Sequence, residues 1–253
     1  MTLLHEGRVA IVTGAGSGIG RASALAFARE GAKVILGDVM EEAGEETVEL
    51  VRRQGGEATF VVCDVSRAAD AARLVATAVE TYGRLDAAHN NAGVTHTQLQ
   101  AADISEEEFD RTVAINLKGV WLCMKYEIAQ MLTNGGGAIV NAGSTAAVVG
   151  LPKFAAYTAT KHGVAGLSKS AALDYAKQGI RVNVVSPGAT RTPMMLKAIA
   201  ENPEREEFIN HGIPMGRMGW PEEIAEAAVW LCSDRASFIT GQVLQVDGGI
   251  SAQ

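Results

Sequence analysis

The sequence predicts an α/β protein of Rossmann type, a doubly wound parallel sheet of about seven strands with helices on both faces. Three observations carry that prediction. Short β-branched runs recur along the 253 residues, longer amphipathic patterns separate them, and the first run ends in a glycine-rich turn that opens a helix. This is the order of repeated βαβ units.

The first strand is RVAIVT, followed by the turn TGAGSGIG and the helical stretch RASALAFAREG. KVILGD, ATFVVCD and LDAAHN give the next three strands, each preceded by a helix-length segment. Ser105 to Glu108 (SEEE) reads as a capping box that opens a long helix through Met131, with Phe109, Val113, Leu117 and Val120 as its apolar face. GAIVNAG is the fifth strand, and FAAYTATKHGVAGL begins the helix after it. IRVNVVSPG is the sixth strand, Pro221 suits the first position of the helix PEEIAEAAVWL, and QVLQVDGG is the last strand. The region between Pro187 and Trp220 has no clean period and mixes Pro, Met and charged residues, which predicts a substrate lid at about 189–218. No repeat or low-complexity linker interrupts the chain, so a single domain is expected over residues 1–253.

Composition narrows the function classes. Apolar residues make up 47% of the chain, but no run approaches the roughly 20 residues of a membrane helix. The start, MTLLHEGRVAIVTG, lacks the basic and apolar regions of an export signal, so a soluble, cytoplasmic protein is expected. Cys63, Cys123 and Cys232 are odd in number and far apart, which argues for buried thiols and against a disulfide framework or metal site. The net charge of −7 comes from interspersed residues and leaves no basic stripe for nucleic acid. A small-molecule partner is expected.

The turn TGAGSGIG carries the first chemistry. Its order of strand, glycines and helix lets backbone N–H groups and a helix N-terminus meet a pyrophosphate, with Gly14, Ser17, Gly18, Ile19 and Gly20 nearest to it. The spacing is T-G-x-x-x-G-x-G rather than G-x-G-x-x-G. Asp38 closes the second strand, where a carboxylate accepts hydrogen bonds from both adenosine ribose hydroxyls. A 2′-phosphate there meets like charge with no Arg or Lys in the adjoining loop, which favours NAD over NADP.

Taken together, TGAGSGIG, Asp64-Val65, Asn90-Asn91-Ala92-Gly93, Asn116, Ser144, Tyr157 with Lys161, and Pro187-Gly188 make the chain resemble the short-chain dehydrogenase/reductase family over nearly its whole length. The resemblance implies that Asp64 and Val65 contact adenine and that Asn90, Asn91, Ala92 and Gly93 flank the cofactor. It places Pro187, Gly188, Thr190 and Thr192 near the nicotinamide end. Asn116, Ser144, Tyr157 and Lys161 become a catalytic tetrad, of which Tyr157 and Lys161 also touch the cofactor. His89 departs from the family's usual aliphatic residue before NNAG and reads as a packed strand-end histidine.

The spacing of Tyr157 and Lys161 suits hydride chemistry. Residues at i and i+4 share a helical face. Oxidising a carbinol requires its proton to leave, and a phenol with a pKa of ~10 is only about one part in a thousand phenolate at neutral pH. Lowering that pKa by about three pH units takes ~4 kcal/mol. An ammonium about 5 Å away contributes on the order of 3 kcal/mol at an effective dielectric near 20, and a positive nicotinium ring adds more. Tyr157 is therefore the expected base, Lys161 its tuner, and Ser144 the hydrogen-bond partner of the substrate oxygen. Asn116, inside an apolar face, needs a partner: nearby backbone, or a water held between it and Lys161.

The expected activity is NAD-dependent hydride transfer on a small, largely uncharged secondary alcohol or its ketone. The alternatives are an NADPH-dependent ketone or 3-oxoacyl-thioester reductase, and a non-catalytic dinucleotide sensor. The substrate expectation rests on apolar residues such as Phe154, Met194, Met195 and Leu196, with Arg191, Lys197 and Arg205 as the basic exceptions. His96 and His211 read as loop surface. Trp121, Leu122 and Met124, with Gly163 and Gly166, suggest helix faces that pair between subunits, so a homotetramer is expected.

Overall fold

The first strand, β1 (Val9–Thr13), buries every residue, with Val9 and Ile11 in one apolar cluster and Ala10 and Val12 in another. Alternate side chains point to opposite faces of a strand, so a run that is apolar throughout belongs in a sheet covered on both sides. The computed structural model describes residues 3–252. After β1 come α1 (Gly18–Arg29), β2 (Lys33–Asp38), α2 (Glu41–Arg53), β3 (Glu57–Val62), α3 (Ala68–Tyr82) and β4 (Ala87–Asn90). The second half comprises α4 (Glu106–Val113), α5 (Val120–Asn134), β5 (Gly137–Ala142), α6 (Ala155–Tyr175) and β6 (Ile180–Pro187). It ends with α7 (Pro193–Glu201), α8 (Glu204–His211), α9 (Pro221–Cys232) and β7 (Val243–Val246).

The strands form one sheet in the order β3-β2-β1-β4-β5-β6-β7, with every neighbouring pair parallel. From β1 the chain winds outward to β3, then returns to the other side of β1 as β4. That reversal opens a crevice at the carboxyl ends of β1 and β4, where ligands bind in such sheets. One core cluster joins Ile11, Ile35, Ile139 and Val182 to Leu74 of α3, Met131 of α5 and Val164 of α6. The other joins Val12, Leu36 and Val140 to Phe27 of α1, Val48 of α2 and Val229 of α9. Among the described residues, no helix is long and apolar enough to cross a membrane.

The long helix differs from its expected form. Ser105 caps α4 by accepting from the Glu108 N–H, but the Glu108 carboxylate turns to the Thr97 N–H and hydroxyl instead of completing the box. Between α4 and α5 the turn widens into a π-helical segment, Ala114–Gly119. Such a segment inserts extra backbone per turn, so one 3.6-residue stripe does not run through it. The buried side is Thr112, Asn116, Gly119, Val120 and Cys123, while Phe109 lies exposed.

The helix-face argument for subunit pairing also changes. Leu122 and Met124 belong to the chain's own core, and a side chain at Gly163 would meet Leu117 of the same chain at 3.0 Å. Trp121 remains exposed, and Gly166 faces open space.

Candidate active site

The end of β1 is tied to the end of β4 by main chain and one hydroxyl. Thr13 Oγ1 accepts from the N–H groups of Asn91 (3.0 Å) and Ala92 (3.1 Å), and the Asn91 amide donates back to the Thr13 carbonyl. Gly14 sits between them with φ +65°, where an added Cβ would lie 2.9 Å from Ala92 Cα. Only glycine suits both the backbone angle and the close approach. Ser17 stands before α1 with no capping bond from its side chain, leaving its hydroxyl available beside the helix N-terminus.

Asp38 is held against this turn. One carboxylate oxygen accepts from the Gly16 N–H at 2.9 Å and the other from the Met40 N–H at 3.0 Å. Arg21, which sequence reasoning left aside, lies near the turn but is taken up by the Gly16 carbonyl, the Thr47 hydroxyl and Glu46. At the far end, Asp64 accepts from the Ser66 N–H and hydroxyl. Val65 is buried against Gly119, where any Cβ would come within 2.8 Å of its methyl group.

A cavity of about 470 Å³ runs along these residues, lined by Gly14, Ser17, Gly18, Ile19, Asp38, Asp64, Val65, Asn91, Ala92 and Gly93. Val39, Cys63, Arg111 and Ile115 also line it, without any signal in the sequence reading. A second cavity of about 460 Å³ is lined by Ser144, Tyr157, Lys161, Pro187, Gly188 and Thr190. Ile19, Asn91, Gly93, Val94, Thr192 and Met194 belong to both, so the two share a wall.

Two expected residues stand behind this surface. Gly20 is buried, and a Cβ there would lie 2.0 Å from the Gly14 carbonyl oxygen, so it serves the packing of α1 on the turn. Asn116, in the π segment, is fully buried; its Oδ1 accepts from the Val94 N–H and its Nδ2 donates to the Val94 carbonyl, both at 2.8 Å. The backbone partner is therefore present, and Asn116 shapes the segment that forms the shared wall. Asn90 is corrected more sharply: its amide turns into the core, donating to Glu127 (2.9 Å) and Asn141 (3.0 Å) instead of flanking the cavity.

The expected catalytic residues come together from the turn after β5 and from α6. Lys161 is 4% exposed, and its Nζ donates to the Ala142 carbonyl at 2.8 Å. Its ammonium lies 5.5 Å from the centre of the Tyr157 ring, one helical turn away. Burial lowers the Lys161 pKa to about 8. Burial also raises the Tyr157 phenol above its ordinary value, with Ser144 acting in the opposite direction. Ser144 caps the short 3₁₀ turn Thr145–Ala147 by accepting from the Ala146 N–H, and its own hydrogen is left to donate.

The remaining wall of the second cavity is largely apolar: Val94, Leu151, Phe154, Met194, Met195 and Ile250. Ile250 arrives from the last turn of the chain, where no pattern announced it. Arg191 is engaged with Glu206 at 2.5 Å and stacks over Trp220, while Lys197 and Arg205 are absent from the wall. His96 is buried rather than on the surface, with Nδ1 2.6 Å from the Thr97 carbonyl and its ring against Phe154. His89 packs as expected: fully buried beside Ser23, its pKa lowered by burial to about 3.

Comparison with known proteins shows the family and the fold. A family model described as enoyl-(acyl carrier protein) reductase matches residues 14–251. The chain is 45% identical over 248 residues to the 2,5-dichloro-2,5-cyclohexadiene-1,4-diol dehydrogenase of Sphingobium indicum, covering 98% of each chain. It is 42% identical over 253 residues to the cyclohexanol dehydrogenase of an Acinetobacter species, covering 100% of this chain and 98% of the other. Among solved structures, a 3-ketoacyl-(acyl-carrier-protein) reductase from Brucella melitensis complexed with NADH superposes with a TM-score of 0.90 at 38% identity, over 97% of this chain and 99% of that one.

Proposed function

Given that the chain belongs to the short-chain dehydrogenase/reductase family and is an oxidoreductase acting on CH–OH groups, we propose that it uses NAD to oxidise a small, largely uncharged secondary alcohol, or to reduce the corresponding ketone. The observation that carries this reading is the meeting of Ser144, Tyr157 and a buried Lys161 on a cavity that shares its wall with the glycine-turn cavity.

The first cavity fits a dinucleotide. The left-handed Gly14 leaves the space a side chain would fill, and the start of α1 supplies N–H groups for a pyrophosphate. Asp38, held by two backbone N–H groups, is placed for ribose hydroxyls and against a 2′-phosphate. Similar structures hold NADP in two cases and NADH in another, so the preference here rests on Asp38. When bound, the nicotinamide supplies the hydride acceptor and a positive charge. Asp64, Val65, Asn91, Ala92, Gly93 and Thr192 complete the walls of the first cavity.

Tyr157 takes the carbinol proton as phenolate, and Ser144 donates its hydrogen bond to the substrate oxygen. Burial works against the phenolate, so Lys161 must stay charged beside it. The Ala142 carbonyl holds the ammonium in place at 2.8 Å. The apolar wall from Val94 to Ile250 favours a carbocyclic or aliphatic skeleton, in keeping with the ring alcohols named for two relatives. Residues 189–218, with α7 and α8 resting on the small cluster Ile199, Ile213 and Met218, act as the lid. Exposed Trp121, Leu173 and Phe238 favour a homotetramer.

The test is turnover with NAD on a panel of cyclic and aliphatic secondary alcohols, set beside sugars, hydroxy acids and 3-hydroxyacyl thioesters, followed through nicotinamide absorbance. The expected result is the highest kcat/KM on an uncharged alcohol. A clear preference for a charged hydroxy acid or a thioester overturns the substrate reading, and dinucleotide binding without any turnover overturns the enzyme reading.

A further inference from the structure

Arg111 lines the first cavity, yet neither the tetrad chemistry nor the glycine turn uses it. It lies on α4 one turn before Ile115, which lines the same cavity, and the helical path continues to Gly119 packed on Val65. Glu107, Glu108 and Asp110 share its helix, but among the described residues no carboxylate lies within ion-pair distance of its guanidinium. The Glu108 carboxylate is held by Thr97 instead. A helix-end role does not explain Arg111 either, because the π segment and α5 carry the helix on to Asn134.

The same cavity contains a second unexplained residue. Val39, which follows Asp38, is 59% exposed although it is apolar and lines the cavity. An unpaired planar cation and an exposed apolar side chain, beside the Asp38 and Asp64-Val65 loops, suit a flat, electron-rich heterocycle. A guanidinium is attracted to the face of such a ring and is more weakly hydrated than an ammonium.

Resting on the NAD reading above, we propose that Arg111 is a binding residue for the adenine ring, stacking its guanidinium on the purine while Val39 supplies apolar contact. Arg111 then sets affinity for the adenosine half of the cofactor and takes no part in hydride transfer. Its exposed position makes substitution compatible with folding.

The experiment measures binding of NAD, NADP, AMP and nicotinamide mononucleotide to the wild-type chain, R111A and R111K, together with kcat at saturating NAD. In R111A, the Kd for NAD and for AMP is expected to rise about tenfold, within the range of a partly desolvated cation–π contact. Nicotinamide mononucleotide binding and kcat should stay within about twofold of wild type, since both report on the other end of the site. R111K, which keeps charge but not planarity, should lose most of the same affinity. Unchanged AMP binding in R111A, full retention by R111K, or a loss confined to NADP would overturn the stacking, the last by assigning Arg111 to a 2′-phosphate. A wild-type chain that binds neither NAD nor AMP would overturn the cofactor reading itself, which separates the two failures.

Discussion

Around the glycine turn the cavity is held together by main-chain N–H groups, whereas around Tyr157 the groups that face it for chemistry are side chains. The first wall is held by N–H groups of Gly16, Met40, Asn91 and Ala92 bonded to Asp38 and Thr13, all within loops that directly follow β1, β2 and β4. The second depends on the side chains of Ser144, just after β5, and of Tyr157 and Lys161 on α6, on the Ala142 carbonyl, and on Ala189, Met194 and Met195, which arrive more than thirty residues after Tyr157. The difference teaches that a wall held by main-chain N–H groups tolerates change at a side chain such as Asp38, though not at Gly14, at a moderate cost in affinity. A side-chain-built wall loses function when one functional group is removed.

The largest expected effect comes from the second wall. Tyr157→Phe should fold normally and lose at least about a hundredfold in kcat, because general acid–base catalysis contributes 10² to 10⁴. The wild-type rate of alcohol oxidation should rise with pH as Tyr157 deprotonates, and the residual rate of the variant should not follow that rise. Near-wild-type turnover in the Phe variant would assign the base elsewhere.

A smaller effect is expected at Asp38. The wild-type enzyme should use NAD at least tenfold better than NADP in kcat/KM, a preference of about 1.4 kcal/mol. Asp38→Ala removes the like charge but also the anchors on the Gly16 and Met40 N–H groups, so NADP should gain while NAD loses. Steady-state kinetics with both cofactors checks this, and an unchanged ratio would remove Asp38 as the discriminator.

The smallest effect concerns stability behind the two walls, in the buried cluster of Asn90, Glu127, Asn141 and Ser168. Burial raises the Glu127 pKa to about 7, against the opposing hydrogen bond from Asn90. A carboxyl whose pKa is higher folded than unfolded contributes stability that is fully present below the unfolded value, near 4.5, and lost as pH rises to about 7. Glu127→Gln is neutral throughout. Its melting temperature should match that of the wild type near pH 4 to 5 and exceed it by a few degrees at pH 8. Parallel melting curves across that range would show that Glu127 does not titrate in the fold.

Much of this molecule follows from local chemistry. TGAGSGIG, the β-branched runs and the four-residue spacing of Tyr157 and Lys161 determined by themselves the strand order along the chain, the glycine turn, and the pairing of a phenol with an ammonium. Each depends on residues near in sequence, through left-handed glycine geometry, period-two burial and the helical turn. Other features were decided only when distant segments packed. The widened turn at Ala114–Gly119 changed which helix face is buried, and the Val94 backbone became the partner of the Asn116 amide. Asn90 turned inward to Glu127, His96 was buried against Phe154, and Ile250 came from late in the chain to line the second cavity. No residue's own neighbours in sequence encode these contacts, because a buried polar group or an open helix face takes whichever partner the tertiary fold brings within about 3 Å.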